Sequence, residues 1–241
     1  MKNLKKYLCL LLSILMLASL LSACGDKASE SSTASPSTSA GSSASTGSSA
    51  NADTKYPEDV QKIIDRGVLK VGVKNAVIGF GYQDPLTKEY SGLEISLAKK
   101  IAEKLGVKVE FTAVTAATRT ELLDSGDIDC VLATFTITDE RKKNWDFSTP
   151  YYTDYVTVLV ENSSGIKSLS DLVNKKVGVS SGSTSAKALV KAMIEAGVIS
   201  GDNFNEDTFD PATWNTGVSF HQYDDYPTIS TALSAKEIDA F

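Results

Sequence analysis

Residues 129–148, DCVLATFTITDERKKNWDFS, restrict the fold more than any other stretch of the chain. They open on an apolar run, 130–133, of the kind that a strand buried on both faces shows. The run passes through Thr134-Phe135-Thr136-Ile137-Thr138 and reaches Asp139-Glu140-Arg141. Thr138 suits a helix N-cap, and Asp139 and Glu140 suit a first turn, where unpaired N–H groups favour negative charge. A buried strand running straight into a helix start belongs in an open α/β sheet, and such sheets bind ligands at the carboxyl ends of their strands. Hydroxyls, backbone N–H groups and one guanidinium leave that end together. An arginine there can grip a carboxylate through two parallel hydrogen bonds. The alternative for Arg141 is a solvated helix face, paired with Asp139 or Glu140.

The surrounding chain alternates in the same manner. Residues 62–66 read as a helix stopped by Gly67, and 68–73 as a first strand with Lys74 and Asn75 at its carboxyl end. Lys74 is either a partner for an anion or simply solvated. The loop 76–86 carries Phe80 and Tyr82 among glycines. Leu93, Leu97, Ile101 and Leu105 form a helical stripe that packs on a sheet. A second strand is expected over 107–113, then a short helix over 121–124 with Arg119 in the turn before it. Arg119 has a local alternative, pairing with Glu121 or Asp124. Residues 155–160 are rich in β-formers. Further on, 168–172 reads as a short helix and 176–179 as a strand. Residues 180–185, SSGSTS, lead into a helix over 186–196. Such a turn exposes N–H groups and hydroxyls at a positive dipole end, ready for a carboxylate, or serves as plain capping by Ser183 or Ser185. It lacks the Gly-Lys-Ser/Thr of a phosphate loop. Residues 197–220 read as an irregular surface insertion without an assigned role. A helix built on Ile229, Ala232 and Leu233 follows, and 238–241 begin a strand.

The amino terminus sets the compartment. Lys2, Lys5 and Lys6 precede an apolar run over 7–21, too short to span a membrane comfortably and of signal-peptide length. Leu21-Ser22-Ala23-Cys24 resembles a lipobox, so Cys24 is expected to carry a diacylglycerol on a protein exported to the outer face of the cell membrane. Residues 24–54 are Ser, Ala, Thr and Gly with little apolar bulk, and cannot offset the entropy of ordering. A tether of ~30 such residues reaches roughly 30 Å; a long serine-rich spacer of this kind resembles Gram-positive lipoproteins. The folded part is then expected over 55–241, divided into a first lobe, 55–158, and a second, 159–241. Removal of Lys2, Lys5 and Lys6 leaves 21 Lys+Arg against 30 Asp+Glu and moves the net charge from -6 to -9. That acidity argues against nucleic acid as a partner. Of three cysteines only Cys130 falls in the folded part, so no internal disulfide forms. A single histidine, His221, leaves no triad or metal spacing, and neither a metal nor a cofactor is expected.

Thr134-x-Thr136 with Arg141, followed by Asp146-Phe147-Ser148-x-Pro150-Tyr151, resembles the bacterial extracellular solute-binding proteins of family 3, the amino-acid receptors of ABC importers. Gly92-Leu93-Glu94-Ile95-Ser96-Leu97-Ala98 is similar to a second signature of that family, with Ser96 in place of the usual acid. The resemblance covers about 56–241. It implies a two-lobed, type II periplasmic-binding-protein fold, each lobe an open and mostly parallel α/β sheet flanked by helices, and a monomer that is not an enzyme. It implies that Arg141 binds the α-carboxylate, with Thr136 and Thr134 completing the cradle and Ser183 and Thr184 touching the ligand from the second lobe. Phe80 is expected to cover the ligand's aliphatic part. Arg119, in a context similar to the aspartate/glutamate receptors, and Lys74 are expected to meet a side-chain carboxylate. Glutamate, aspartate, glutamine and cystine all fit. In the family the last strand continues to an acid that holds the ligand's ammonium and the chain returns to the first lobe, so a truncated carboxyl-terminal part is expected. Sensor domains and cyclohexadienyl dehydratases share the fold; the second would need a general acid or base that the cleft sequence does not offer.

Overall fold

The computed structural model describes residues 56–241, and the signal, Cys24 and the serine-rich tether lie outside the described residues. The first half contains α1 (Glu58–Arg66), β1 (Val68–Val73), β2 (Ala76–Val77), β3 (Gly81–Gln83), β4 (Tyr90–Ser91), α2 (Leu93–Leu105), β5 (Lys108–Ala113), α3 (Arg119–Asp124) and β6 (Cys130–Leu132). The second contains β7 (Lys175–Ser180), α4 (Ser185–Glu195), β8 (Val218–Tyr223) and α5 (Tyr226–Ser234). Short 3-10 turns occupy Arg141–Lys143 and Leu169–Leu172. Among the described residues no helix is long and apolar enough to cross a membrane.

Two parallel sheets form two cores. In the first, β1 lies between β5 and β6, with Val71 opposite Phe111 on one side and Cys130 on the other. Leu69, Val71 and Val73 are buried under Ile95, Ala98 and Ala102 of α2. Full burial of a side chain such as Ile95 contributes about 1.5–3 kcal/mol. In the second, β7 pairs in parallel with β8, and Val177, Val179, Val190 and Met193 pack together.

Both lobes repeat one device around a Val-Gly-Val strand. A Cβ on Gly72 would stand 2.6 Å from Ile128 Cδ1, and one on Gly178 would stand 2.5 Å from Ile238 Cδ1. The Asp after each isoleucine then caps the strand. Asp129 accepts from the Lys70 amide at 2.7 Å and Asp239 from the Lys176 amide at 2.9 Å. Arg66 pairs with Asp129 and Lys175 with Asp239. The two halves are thus built alike, each presenting the carboxyl end of its strand to the other.

Several elements differ from the sequence reading. The loop 76–86 contains β2 and β3, which with β4 form a small antiparallel sheet. The helix expected over 121–124 begins at Arg119. Residues 155–160 form no strand beyond one bridge, Val160 to Ala240, with Leu159 and Phe241 exchanging backbone hydrogen bonds. Tyr155 is 82% and Val156 57% exposed. β-propensity expresses itself only where a neighbouring strand accepts the ladder, and among the described residues 240–241 alone lies alongside. The segment 197–220 is not a mere surface insertion. Its end is β8, a core strand, and Phe204, Phe209 and Trp214 pack against the second core.

Candidate functional site

The carboxyl end of β6 delivers Ala133 and Thr134 into the cleft. Thr134 has φ of 47°, an unusual backbone state for a residue with a Cβ, and it turns the chain away from the sheet. The peptide joining Ala133 to Thr134 is held at both ends by charge. Arg119 Nη1 donates to the Ala133 carbonyl at 2.9 Å, and the Thr134 N–H donates to Glu94 Oε1 at 2.6 Å. Arg119 is 3% and Glu94 0% exposed. Glu94, at the start of α2, also accepts from the Tyr151 hydroxyl at 2.7 Å. Glu94 Oε2 and Arg119 Nε are buried without a hydrogen-bond partner among the described residues. Arg119 pairs with neither Glu121 nor Asp124; the Asp124 carboxylate instead accepts from Trp145 Nε1 at 2.7 Å.

Arg141 is turned toward the second lobe. Asp139 and Glu140 pair with Lys142 and Lys187, and leave the guanidinium free of both. Arg141 Nη1 donates to the Thr136 carbonyl at 2.9 Å and Nη2 to the Gly182 carbonyl at 3.1 Å. Thr138 Oγ1 accepts from the Arg141 amide at 3.2 Å, but the expected helix is a 3-10 turn whose N-cap is Glu140, not Thr138, with no side-chain cap bond. The Arg119 and Arg141 guanidinium carbons lie 4.0 and 4.5 Å from the centre of the Phe135 ring. Cation–π contact of this kind stabilises a partly desolvated cation that has no carboxylate beside it.

The Ser-Gly turn of the second lobe meets this cradle. Gly182 has φ of 72°, and a Cβ there would come within 2.8 Å of the Ala116 carbonyl oxygen. Ser183 Oγ accepts from the Ser185 amide at 3.4 Å, and Thr184 stands at the N-cap of α4 without a side-chain cap bond. Thr136 is exposed beside them. Lys187 of α4 reaches Glu140 at 3.3 Å, a further bond between the lobes.

Lys74 opens onto a cavity of about 150 Å³, walled by Asn75 and Thr115 from the first lobe and by Ser180, Asp225 and Tyr226 from the second. Burial, then the charge of Arg119, lowers the Lys74 amine to about 8. Burial, then the charge of Arg141, lowers Arg119 to about 10, still protonated at neutral pH. Burial also lowers Arg141. Asp225 caps α5 by accepting from the Thr228 amide at 2.8 Å, and hydrogen bonds from Thr228 hold its carboxyl below the usual range. Phe80 packs edge-on against Tyr152, ring centres 4.9 Å apart, and does not line this cavity.

The structure sets the Arg141 and Arg119 guanidiniums on Phe135 and ties Arg141 to Thr136 and to the Ser-Gly turn; of the eight predicted site residues Lys74 alone lines the cavity, and Arg141, Arg119, Thr134, Thr136, Ser183, Thr184 and Phe80 do not. Sequence reasoning missed Glu94, Phe135, Gly182 and Asp225. Glu94 and Phe135 lay inside quoted signatures, but nothing in their spacing marks a carboxylate as fully buried or a ring as a platform for two cations.

Comparison with known proteins identifies the family and the fold. The family model for bacterial extracellular solute-binding proteins, family 3, matches residues 69–203. The chain is 39% identical over 151 residues to a glutamine-binding protein of Geobacillus stearothermophilus, covering 61% of this chain and 58% of that one. It is 35% identical over 206 residues to the ABC transporter glutamine-binding protein GlnH of Bacillus subtilis (strain 168), covering 84% and 69%. The chain therefore spans between 58% and 69% of the length of these two relatives. A solved structure of an ancestral arginine-binding protein bound to glutamine superposes with a TM-score of 0.58 at 38% identity, covering 73% of this chain and 68% of that one.

Proposed function

The chain belongs to the bacterial extracellular solute-binding proteins of family 3, and from that premise we propose that it binds a free polar amino acid between its two lobes and hands it to the permease subunits of an ABC importer. Its fold is the type II periplasmic-binding-protein fold, two lobes of mixed α/β structure. The observation that carries the proposal is the placement of Arg141, whose planar fork projects from the first lobe onto the Ser-Gly turn of the second. A ligand α-carboxylate at that fork touches both lobes, binds the closed form better than the open one, and shifts the population toward it.

Glutamate and aspartate are the favoured ligands, with glutamine as the near competitor. Arg119 and Lys74 supply positive charge beyond Arg141, and the glutamine-binding relatives support a side chain of this length. In this reading Thr136, Thr134, Ser183 and Thr184 complete the cradle. Cys24 carries the lipid that holds the receptor on the outer face of the membrane.

A thermal-shift screen of the twenty amino acids and cystine tests the reading. Ligand at 100 times its Kd stabilises by about 2.7 kcal/mol. Glutamate, aspartate or glutamine should raise Tm clearly, and Arg119→Ala should weaken the two acids more than glutamine. A protein whose Tm moves with no amino acid is not this receptor. Cys24→Ala should release the protein from membranes into the medium; retention would remove the lipid-anchor proposal.

A further inference from the structure

Glu94 is a buried carboxylate that the ligand reading above does not use. It lies at the amino-terminal end of α2, fully enclosed, and one oxygen holds two groups from separate segments, the Thr134 amide and the Tyr151 hydroxyl. Its second oxygen has no partner among the described residues. An enclosed anion is costly unless opposite charge lies close. Among the described residues no salt bridge reaches it, but the Ala133–Thr134 peptide stands between it and Arg119, with its N–H aimed at Glu94 and its carbonyl at the guanidinium. The Glu94 charge acts on both Arg119 and Lys74, raising the proton affinity of each. The cleft's two extra cations are therefore both set against the buried Glu94, and Lys74 also feels Asp225 across the cavity.

We propose that Glu94 is a specificity-determining positioning residue, whose buried negative charge balances Arg119 and Lys74 and so limits how strongly the cleft prefers an anionic ligand side chain over its neutral amide. The inference rests on the receptor reading and names what tunes the side-chain end of that site. Glu94 keeps the Thr134 turn in place through Oε1 and offsets positive charge through its net charge. The two roles separate, because a glutamine at 94 can still accept both hydrogen bonds while carrying no charge.

The experiment is calorimetric titration of the purified protein with L-glutamate and L-glutamine at pH 7, comparing the ratio of the two dissociation constants. Glu94→Gln should move that ratio toward glutamate by roughly tenfold, as expected for a unit charge removed at short range from a shielded site. Tyr151→Phe, which removes one hydrogen bond and no charge, should leave the ratio within about twofold, a result that a merely structural role for Glu94 would not separate from the first. If Glu94→Gln fails to fold, the same change on an Arg119→Met background removes both buried charges, and the ratio should still move toward glutamate relative to Arg119→Met alone. An unchanged ratio in a protein that binds both ligands overturns the role of Glu94 and leaves the receptor reading standing. Wild-type protein that binds neither ligand overturns both.

Discussion

Arg141 Nη2 donates to the Gly182 carbonyl at 3.1 Å, so a side chain of the first lobe is bonded directly to the backbone of the second. The other nitrogen of the fork is held by the Thr136 carbonyl. A carboxylate entering the cleft competes with these two neutral acceptors. A carboxylate brings an opposite charge and a bidentate geometry that two neutral carbonyls lack, so the exchange favours the ligand, which takes over the bridge from Gly182 while Lys187 and Glu140 still join the lobes.

Arg141→Lys should abolish useful binding of every amino acid tested. Lysine keeps the charge but loses the planar fork, and disrupting a desolvated charge pair costs about 2–5 kcal/mol. Calorimetry should show losses of similar size for acidic and neutral ligands. Selective loss of the acids alone would place the α-carboxylate elsewhere.

Gly182→Ala should oppose closure, on top of about 1–2 kcal/mol of backbone strain from its φ of 72°. The new Cβ would meet main-chain atoms of Ala116 and Ala117 at 2.8 and 2.9 Å, atoms that cannot rotate away. Because these belong to the opposite lobe, the clash resists closure. We expect at least about tenfold weaker binding, and a smaller ligand-induced contraction by solution scattering.

Lys74 makes the preference for acids depend on pH. Its free amine titrates at about 8, below its ordinary value. Below that pH the charged amine attracts an anionic side chain. Above it, binding an anion requires uptake of a proton, and affinity falls by up to about tenfold per pH unit. The preference for glutamate over glutamine should therefore decline between pH values of about 7 and 9, and Lys74→Met should flatten that slope. Equal pH dependence for both ligands would detach Lys74 from the ligand.

Gly178→Ala should cost stability and not recognition. Its Cβ would lie 2.6 Å from Ile229 Cγ2, and Ile229 is fully buried. Overpacking of this kind costs about 1–3 kcal/mol. Denaturant unfolding should show a lower midpoint with an unchanged slope.

Much of this architecture is legible along the chain. Strand β1, helix α2 and the cap at Gly67 fall where periodicity and glycine place them, because their signals are local. The Arg119 and Arg141 positions were also readable, from motif context. The destinations of their side chains were not. Arg119 could have paired with Glu121 or Asp124, both within one helical turn; it reaches instead across the sheet to Ala133. The strand expected over 155–160 failed for the same reason in reverse, since its propensity is local and its pairing is not.

By itself the sequence determined the elements whose signals are local, such as β1, α2, β5 and β7, which residues can carry a cation, and the resemblance that names the ligand class. Tertiary structure alone decided that Glu94 and Arg119 grip opposite ends of one peptide, that Phe135 receives two guanidiniums, and that Gly182 is where the lobes touch. Helices, caps and strands arise from interactions between near neighbours, which spacing encodes. Burial of a charge, and the approach of two backbones, depend on segments 40 to 66 residues apart, and only the packed chain brings those together.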